Sequence, residues 1–289
     1  MKVGCSKHNI SLPDGSLMPK LGQGTWYMGE QQNQWKQEVE AIRLGLEMGM
    51  SLIDTAEMYG DGRSEELVGE AISRYERTNV FLVSKVYPHN AGRKNIFDSC
   101  NASLKRLGVE YLDGYLLHWR GNIPLSETVE CMNELVTRGK IRNWGVSNFD
   151  TQDMRELWNI KHGNKCAFNQ VLYHLNSRGA EYDLLPWLKD HHIPMMAYCP
   201  MAHNQNMRKD LVENKLIKAI SQKYDITPEQ LLLYFVLKQE NVVAIPKAGT
   251  IDHVNENSLV AELKITDDDL EKLSNEFPAP TRKTFLDML

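Results

Sequence analysis

The sequence predicts an α/β fold, a (β/α)8 TIM barrel preceded by an N-terminal β-hairpin. Three observations support this prediction. The chain has 289 residues, which suits one barrel of this type. Eight short apolar runs alternate with longer segments of helical periodicity, and no low-complexity or linker-like stretch divides the chain. We therefore predict that residues 1–289 form a single domain.

The hairpin is predicted over Asn9–Pro19, where apolar and polar residues alternate around Asp14-Gly15, a dipeptide that supplies positive φ in tight turns. The number of strands that follow separates a closed barrel from a doubly wound sheet, which has fewer. The eight predicted strands are Lys20–Thr25, Ser51–Ala56, Val80–Val86, Leu112–His118, Ile141–Asn148, Cys166–Leu172, Ile193–Tyr198 and Val242–Pro246. Their number indicates the barrel.

Helices are predicted between these strands, where apolar residues recur at three and four. They include Gln34–Glu47, Ser64–Tyr75, Lys94–Leu107, Ser126–Arg138, Asp150–Trp158, Lys215–Tyr224 and Thr227–Lys238. The last of these opens on Thr-Pro-Glu-Gln, a capping pattern. Crossovers of this length are typical of parallel strands.

The composition excludes several classes of protein. No apolar run approaches the roughly 20 residues that span a membrane, and the net charge of −5 argues against non-specific nucleic-acid binding. The five cysteines lack a C-x-x-C pair, so we expect reduced, buried thiols and no metal site. They are Cys5, Cys100, Cys131, Cys166 and Cys199. Because Met1–Met18 has no apolar core like that of a signal peptide, we expect a cytoplasmic protein.

Ionisable side chains end three consecutive predicted strands, at the rim where such barrels carry their chemistry. They are Asp54, Lys85 and His118, and Tyr59 follows Asp54 in a glycine-rich loop that is expected to turn back towards Lys85. Each has a structural alternative: a lysine that reaches solvent, an aspartate that caps a loop, or a histidine bonded in the core. Because buried charges need partners, their convergence at one rim favours an active site.

Five fragments in these positions resemble the aldo-keto reductases, and the resemblance extends over essentially the whole chain. The fragments are Ile53–Gly60, Ser84–Val86, Leu117–Trp119, Gly145–Phe149 and Ile245–Lys247. The resemblance is strongest to the bacterial branch that reduces methylglyoxal and other small aldehydes. It implies an NADPH-dependent carbonyl reductase of the alcohol dehydrogenase type.

A carbonyl reductase must deliver a proton to oxygen, and a tyrosine with an ordinary pKa is a weak acid at neutral pH. The resemblance makes Tyr59 the proton donor, Lys85 its activator, Asp54 the partner of Lys85, and His118 a donor that orients the carbonyl and assists proton transfer. We expect the charge of Lys85 to lower the pKa of Tyr59.

No G-x-G-x-x-G follows a strand, so the nucleotide is expected in the loops after the seventh and eighth strands, beside a helix N-terminus. The resemblance implies that Ser147, Asn148 and Gln170 hold the nicotinamide carboxamide and that Tyr198 stacks on its ring. The other residues implied are Gly24, Thr25 and Asp54 at the ribose, Cys199, Pro200, Met201 and the loop His203–Asp210 at the pyrophosphate, and Lys247, Ala248, His253, Glu256 and Asn257 at the adenosine.

Two residues depart from the family pattern in the phosphate segment. Ala248 replaces a common serine or threonine, and His253 replaces a common arginine. Arginine forks onto phosphate and is always charged, whereas histidine is only partly protonated at neutral pH. We therefore predict a preference for NADPH with a small margin over NADH.

The substrate pocket is predicted to be aromatic, with Trp26, Tyr87, His118 and Trp119 in its wall. The C-terminal tail Pro278–Leu289 is short, and we expect it to cover little of the mouth. Small aldehydes, dicarbonyls and aromatic aldehydes are the expected substrates, and aldoses are less favoured. No nucleic-acid or membrane partner is predicted, and the resemblance implies a monomer.

Two other interpretations of the function remain open. The first is a nucleotide-binding regulatory subunit with vestigial reductase activity, like the subunits of potassium channels that keep the same fold and tetrad. The second is a Schiff-base enzyme in which Lys85 is the nucleophile.

Overall fold

The computed structural model describes residues 2–4, 6, 8–202 and 204–289. The strands in these residues are β1 (Asn9–Ser11), β2 (Leu17–Pro19), β3 (Gly22–Gly24), β4 (Leu52–Asp54), β5 (Phe81–Val86), β6 (Leu112–Leu117), β7 (Ile141–Ser147), β8 (Asn169–Leu172), β9 (Met195–Tyr198) and β10 (Val242–Ala244). The α-helices are α1 (Trp35–Glu47), α2 (Arg63–Ile72), α3 (Ile96–Leu107), α4 (Leu125–Thr137), α5 (Thr151–Asn159), α6 (Leu184–Asp190), α7 (Gln205–Glu213), α8 (Lys215–Lys223), α9 (Pro228–Leu237), α10 (Ile251–Leu259) and α11 (Asp267–Glu276).

Strands β3 to β10 form one parallel sheet of eight strands, in which each strand pairs with the next along the chain. Isolated bridges from Leu21 to Ala244 and from Gly24 to Lys247 join the first of these strands to the last. The sheet is therefore a nearly closed barrel, and the predicted (β/α)8 fold is confirmed.

The N-terminal hairpin covers the amino-terminal end of the barrel. Strands β1 and β2 pair antiparallel, and Gly15 has a φ of 83° in the turn between them. Asp14 Oδ1 accepts the backbone N–H of Ser16 at 2.9 Å. Leu12 and Met18 are buried against residues of the barrel interior. The predicted hairpin is confirmed, and it closes the end opposite to the strand-end ionisable residues.

Phe168 fills the middle of the barrel because two glycines on the adjacent strands β6 and β7 leave room for it. A Cβ at Gly114 would lie 2.5 Å from Cζ of Phe168, and a Cβ at Gly145 would lie 2.4 Å from its carbonyl oxygen. Both distances are shorter than ordinary carbon contacts. The interior is thus packed below the rim, which leaves the carboxyl ends of the strands as the place for a site.

The helices pack their apolar faces on the outside of the barrel. The predicted cap of α9 is present: Thr227 Oγ1 accepts the N–H of Gln230 at 3.2 Å, and Gln230 Oε1 accepts the N–H of Thr227 at 3.0 Å. No helix among the described residues is long and apolar enough to cross a membrane.

The predicted elements exist, but several strands are shorter than predicted. Strand β8 starts at Asn169, three residues after the predicted start at Cys166. The prediction was too long because the residues before Asn169 are also buried, although they lie outside the strand. Helices α6, α7 and α11 were not predicted. The last two are largely polar, and α6 is short and contains Pro186, so their apolar periodicity is weak.

The expected thiols are unpaired in the described residues. Cys100, Cys131 and Cys166 are buried, whereas Cys199 is partly exposed. Cys5 lies outside the described residues.

Candidate active site

Three neighbouring strands and one turn bring the predicted tetrad together. Asp54 ends β4, Lys85 lies in β5, and His118 follows β6. Lys85 Nζ donates to Asp54 Oδ2 at 2.7 Å and to Tyr59 Oη at 3.0 Å. The ring centroids of Tyr59 and His118 are 5.8 Å apart. The convergence expected from the strand positions is therefore what the structure shows.

Tyr59 reaches Lys85 because the chain reverses immediately after it. Tyr59 begins a short 3₁₀ segment, Tyr59–Gly62, in which Gly60, Asp61 and Gly62 all have positive φ, at 56°, 52° and 91°. Glycine adopts this region without the penalty that other residues pay. The Gly-Asp-Gly sequence thus allows the turn that leads from Tyr59 into α2.

Alternation along β5 directs Lys85 into the barrel and its neighbour Ser84 outwards. Ser84 Oγ donates to Glu65 Oε1 at 2.5 Å, and Arg106 Nε donates to Glu65 Oε2 at 2.6 Å. Glu65 lies in α2 and is fully buried. This outer contact ties the strand that carries Lys85 to the helix that follows Tyr59.

Lys85 is fully buried and donates three hydrogen bonds, the third to the carbonyl oxygen of Thr55 at 2.9 Å. Burial lowers the pKa of the Lys85 ammonium, and the charge and hydrogen bond of Asp54 oppose that shift. Three acceptors are what a charged ammonium requires. The pair is therefore satisfied as an ion pair inside the barrel.

Burial raises the pKa of Tyr59 well above its ordinary value, and the negative charge of Asp54 adds to the shift. The expectation of a lowered pKa is thus wrong, because desolvation of the phenolate dominates. The phenol keeps its proton. The contact with Lys85 remains the place where a phenolate would be stabilised once that proton leaves.

His118 is neutral at physiological pH. Burial lowers its pKa to about 2, with a smaller contribution from the charge of Lys85. Its Nδ1 is buried and has no hydrogen-bond partner among the residues that the structure describes, which is rare for a polar atom. A neutral imidazole can donate one hydrogen bond to a carbonyl oxygen but does not supply an acidic proton.

A second set of polar groups fixes the tetrad from the strands beyond it. Gln170 Nε2, on β8, donates to Asp54 Oδ1 at 2.7 Å. Asn148 Nδ2 donates to the carbonyl oxygen of His118 at 3.2 Å, and Tyr198 Oη donates to Asn148 Oδ1 at 2.8 Å. The side chains predicted to hold a nicotinamide therefore already contact one another and the tetrad.

One cavity of about 540 Å³ extends from the tetrad to the loop after β10. The predicted site residues in its wall are Gly24, Thr25, Trp26, Asp54, Tyr59, His118, Trp119, Ser147, Asn148, Gln170, Tyr198, Cys199, Pro200, Met201, Lys247 and His253. Arg208, from the predicted pyrophosphate loop, also lines it, whereas His203 lies outside the described residues.

The far end of the cavity is a helix N-terminus with a lysine beside it. Lys247 precedes α10, whose N-cap Thr250 accepts the N–H of His253 with its Oγ1 at 3.4 Å. Free N–H groups and the helix dipole favour anions at this position. Gly24 faces this segment closely, since a Cβ there would lie 2.8 Å from the carbonyl oxygen of Ile245.

Five predicted residues are not in the cavity wall. Lys85 lies beneath it, behind Tyr59, and Tyr87 contacts Trp119 edge to face from outside, with centroids 6.0 Å apart. Ala248 and Asn257 are buried in the protein, and Glu256 shares the second turn of α10, where its carbonyl oxygen accepts a hydrogen bond from Gln230. Contact of these last three residues with the nucleotide therefore stays a prediction.

The wall also contains residues that the sequence analysis missed. They are Tyr27, Gln34, Gln37, Glu38, Met58, Ala202, Ile245 and Leu289. The first four belong to the loop after β3 and the start of α1. The position of Glu38 in the first turn of the helix after the first barrel strand could have indicated its place in the wall. However, an acidic residue there is also common simply because it stabilises a helix N-terminus.

The C-terminal tail reaches the cavity with one residue in its wall. Lys283 Nζ lies 3.2 Å from Asp150 Oδ2 and 3.5 Å from Asp183 Oδ2, and Ser177 Oγ donates to Asp287 Oδ2 at 2.5 Å. These contacts hold the tail against the loops after β7 and β8. Its last residue, Leu289, thereby becomes part of the wall.

Residues 20–275 match the sequence model of the Aldo/keto reductase family. Methylglyoxal reductase YeaE of Escherichia coli (strain K12) is 52% identical over 272 residues, which cover 94% of this chain and 95% of the relative. Glyoxal reductase of Bacillus subtilis (strain 168) is 31% identical over 270 residues, with 92% of each protein covered.

Solved structures of aldo/keto reductases are also similar to this chain. An aldo/keto reductase from Klebsiella pneumoniae in complex with NADP and acetate has a TM-score of 0.94 and 50% identity, covering 97% of this chain and 99% of its own. Another structure from the same organism, in complex with NADPH, has a TM-score of 0.94 and 49% identity over the whole of both chains.

Proposed function

Because the chain belongs to the aldo/keto reductase family, we propose that it reduces small aldehydes and dicarbonyls to alcohols with NADPH. The observation that supports this most strongly is the buried contact of Lys85 with both Asp54 and Tyr59 at the floor of the cavity. It places a protonated phenol beside a cation, as a carbonyl reductase needs for protonation of oxygen. The entire chain is proposed to act as one catalytic domain.

The cavity fits a dinucleotide at both of its ends. At one end, Ser147, Asn148 and Gln170 offer hydroxyl and amide groups to a carboxamide beside the ring of Tyr198. At the other, Lys247 and the N-terminus of α10 offer donors to phosphate. When bound, NADPH supplies the hydride, while the protein supplies position and electrostatics.

Tyr59 donates the proton to the carbonyl oxygen of the substrate. As negative charge develops on its Oη, the ammonium of Lys85 stabilises it through the 3.0 Å hydrogen bond. Asp54 keeps Lys85 charged, and Gln170 fixes the second oxygen of Asp54. Neutral His118 orients the carbonyl by donating a hydrogen bond.

The substrate side of the cavity supports small, flat carbonyl compounds. Trp26 and Trp119 form its wall, and Tyr87 supports Trp119 from behind. Aromatic faces with few polar groups suit methylglyoxal, glyoxal and aromatic aldehydes better than polyhydroxylated aldoses. Two of the relatives are named as reductases of methylglyoxal and glyoxal, which supports the dicarbonyls in particular.

The Schiff-base reading is less well supported by the contacts of Lys85. A nucleophilic lysine must lose its charge and reach the substrate, whereas Lys85 donates three hydrogen bonds and lies behind Tyr59. The regulatory-subunit reading has no observation in its favour beyond the shared fold. A monomer is the proposed state, and the cytoplasm is the proposed compartment because unpaired thiols are typical of reducing compartments.

The test is the loss of NADPH absorbance on addition of methylglyoxal, glyoxal, benzaldehyde or glucose to the purified protein. We expect turnover with the first three and little with glucose, and Tyr59→Phe serves as the inactive control. A regulatory subunit would bind NADPH but reduce all of these carbonyl compounds only at a vestigial rate. Covalent trapping of substrate on Lys85 by borohydride, without NADPH oxidation, would overturn the proposal in favour of the Schiff-base enzyme.

A further inference from the structure

A buried carboxylate faces the phosphate end of the cavity. Glu38 lies in the first turn of α1, is only 2% exposed, and lines the cavity together with Lys247 and Gly249. Its Oε2 accepts the N–H of Gly29 at 2.8 Å. Its Oε1 lies 3.7 Å from the point where a Cβ of Gly249 would stand. One oxygen of Glu38 thus holds the loop after β3, and the other is directed at the segment before α10.

The carboxylate of Glu38 interacts electrostatically with the charged groups near the segment before α10. Burial raises the pKa of Glu38, and the negative charge of Glu30 adds to that shift; the Gly29 hydrogen bond and the positive charge of Lys247 oppose it. Among the residues that the structure describes, no cation forms an ion pair with Glu38 within 4.0 Å. A carboxylate therefore stands close to the lysine that would bind phosphate, without being neutralised by it.

We propose that Glu38 determines nucleotide specificity by weakening the binding of the 2′-phosphate of NADPH. A phosphate held between Lys247 and the N-terminus of α10 would meet the field of this carboxylate, and like charges in a partly buried site repel strongly. The uncharged ribose of NADH escapes that repulsion. Ala248 and His253 do not compensate, because neither provides a permanent positive charge.

This inference rests on the nucleotide part of the proposed function but not on its carbonyl substrate. The proposed effect of the charge can be distinguished from a purely structural role of Glu38, in which its hydrogen bond to Gly29 only holds the loop after β3. Loss of a purely structural contact would weaken both nucleotides equally, whereas loss of the charge changes their ratio.

The primary variant is Glu38→Gln, which removes the charge while its side-chain oxygen can still accept the N–H of Gly29. Glu30→Gln is the control, since it removes from the loop after β3 an exposed carboxylate that does not line the cavity, and it leaves Glu38 ionised. Gln37→Glu is the opposite test. Gln37 is exposed, lines the cavity and donates to the carbonyl oxygen of Gly249 at 3.2 Å, so the substitution adds a charge to the same wall with little effect on folding.

Dissociation constants for NADPH, NADH, adenosine 2′,5′-bisphosphate and 5′-AMP are measured by calorimetry without a carbonyl substrate. We expect Glu38→Gln to tighten NADPH and the bisphosphate about five- to tenfold, the size of one charge interaction at a partly screened site, and to leave NADH and 5′-AMP nearly unchanged. Gln37→Glu should shift the same ratios the other way, and Glu30→Gln should have little effect.

An unchanged ratio of NADPH to NADH in both Glu38→Gln and Gln37→Glu would overturn the proposal, as would equal weakening of all four ligands by Glu38→Gln. If the wild-type protein bound neither nucleotide, both this inference and the proposed cofactor would be wrong. Normal nucleotide binding with no carbonyl reduction would contradict only the proposed function.

Discussion

The two ends of the cavity are built from different kinds of interaction. At the tetrad, Asp54 and Lys85 are buried and joined at 2.7 Å between neighbouring strands. At the phosphate end, Lys247 and His253 are exposed on a loop and a helix. Buried charges interact strongly and cannot be left unpaired, whereas exposed charges are screened and contribute little each. Substitutions at the two ends should therefore differ greatly in size and in kind.

The largest effect is expected for Lys85→Met, which leaves the carboxylate of Asp54 buried without its cation. We expect the free energy of unfolding to fall by about 3–5 kcal/mol and carbonyl reduction to fall by a factor on the order of 10²–10⁴. Urea denaturation and steady-state kinetics measure the two effects.

Adding Asp54→Asn to Lys85→Met is the control for the first of these losses. The double variant has no unpaired charge, so it should recover most of the lost stability while activity stays low. If it were as unstable as Lys85→Met, packing rather than charge would explain the loss.

A smaller effect is expected for His118, which is neutral in the folded state because burial lowers its pKa to about 2. In the unfolded state its pKa is near 6.5, so below that pH only the unfolded protein takes up the proton, and stability falls as pH falls. Between pH 7.5 and 5.5 this contribution amounts to about 1.4 kcal/mol.

The variant His118→Asn should therefore lose less stability than the wild type over this range, by about that amount. Urea denaturation of both proteins at several pH values measures the difference in their free energies of unfolding. The contributions of the other titrating groups are the same in both proteins and cancel. Parallel stability curves would show that His118 binds a proton as readily in the folded protein as in the unfolded one, against the neutral state assigned to it.

The smallest effect is expected at the phosphate end. His253→Arg places a permanent, forked cation on an exposed turn of α10. We expect the ratio of kcat/KM for NADPH to that for NADH to rise about fivefold, as suits a screened surface contact, while kcat with NADPH stays the same. An equal change with both nucleotides would mean that His253 does not contact the 2′-phosphate.

The tetrad was predictable from the sequence because strand periodicity places Asp54, Lys85 and His118 at one rim. The turn after Tyr59 was also visible in its glycines. By contrast, the pKa of Tyr59 was predicted in the wrong direction. The sequence shows which charges are near, but the depth of burial that outweighs them depends on the whole barrel.

The phosphate end was predicted less completely. Glu38 enters the cavity because α1 packs beside the loop after β10, a contact between distant parts of the chain. Leu289 enters it because Lys283 and Asp287 tie the tail to other loops. Neither packing arrangement leaves a periodic pattern in the sequence, whereas the strand-end residues follow directly from one.

The separation of chemistry from nucleotide binding is tested most directly with Tyr59→Phe. The enzyme is saturated with NADPH and mixed rapidly with methylglyoxal, and NADPH affinity is measured on the same sample. We expect the rate of reduction to fall by a factor on the order of 10²–10⁴ while NADPH affinity is unchanged, since the phenol supplies the proton and not the binding surface. Near-normal reduction by this variant would contradict the assignment of Tyr59 as the proton donor.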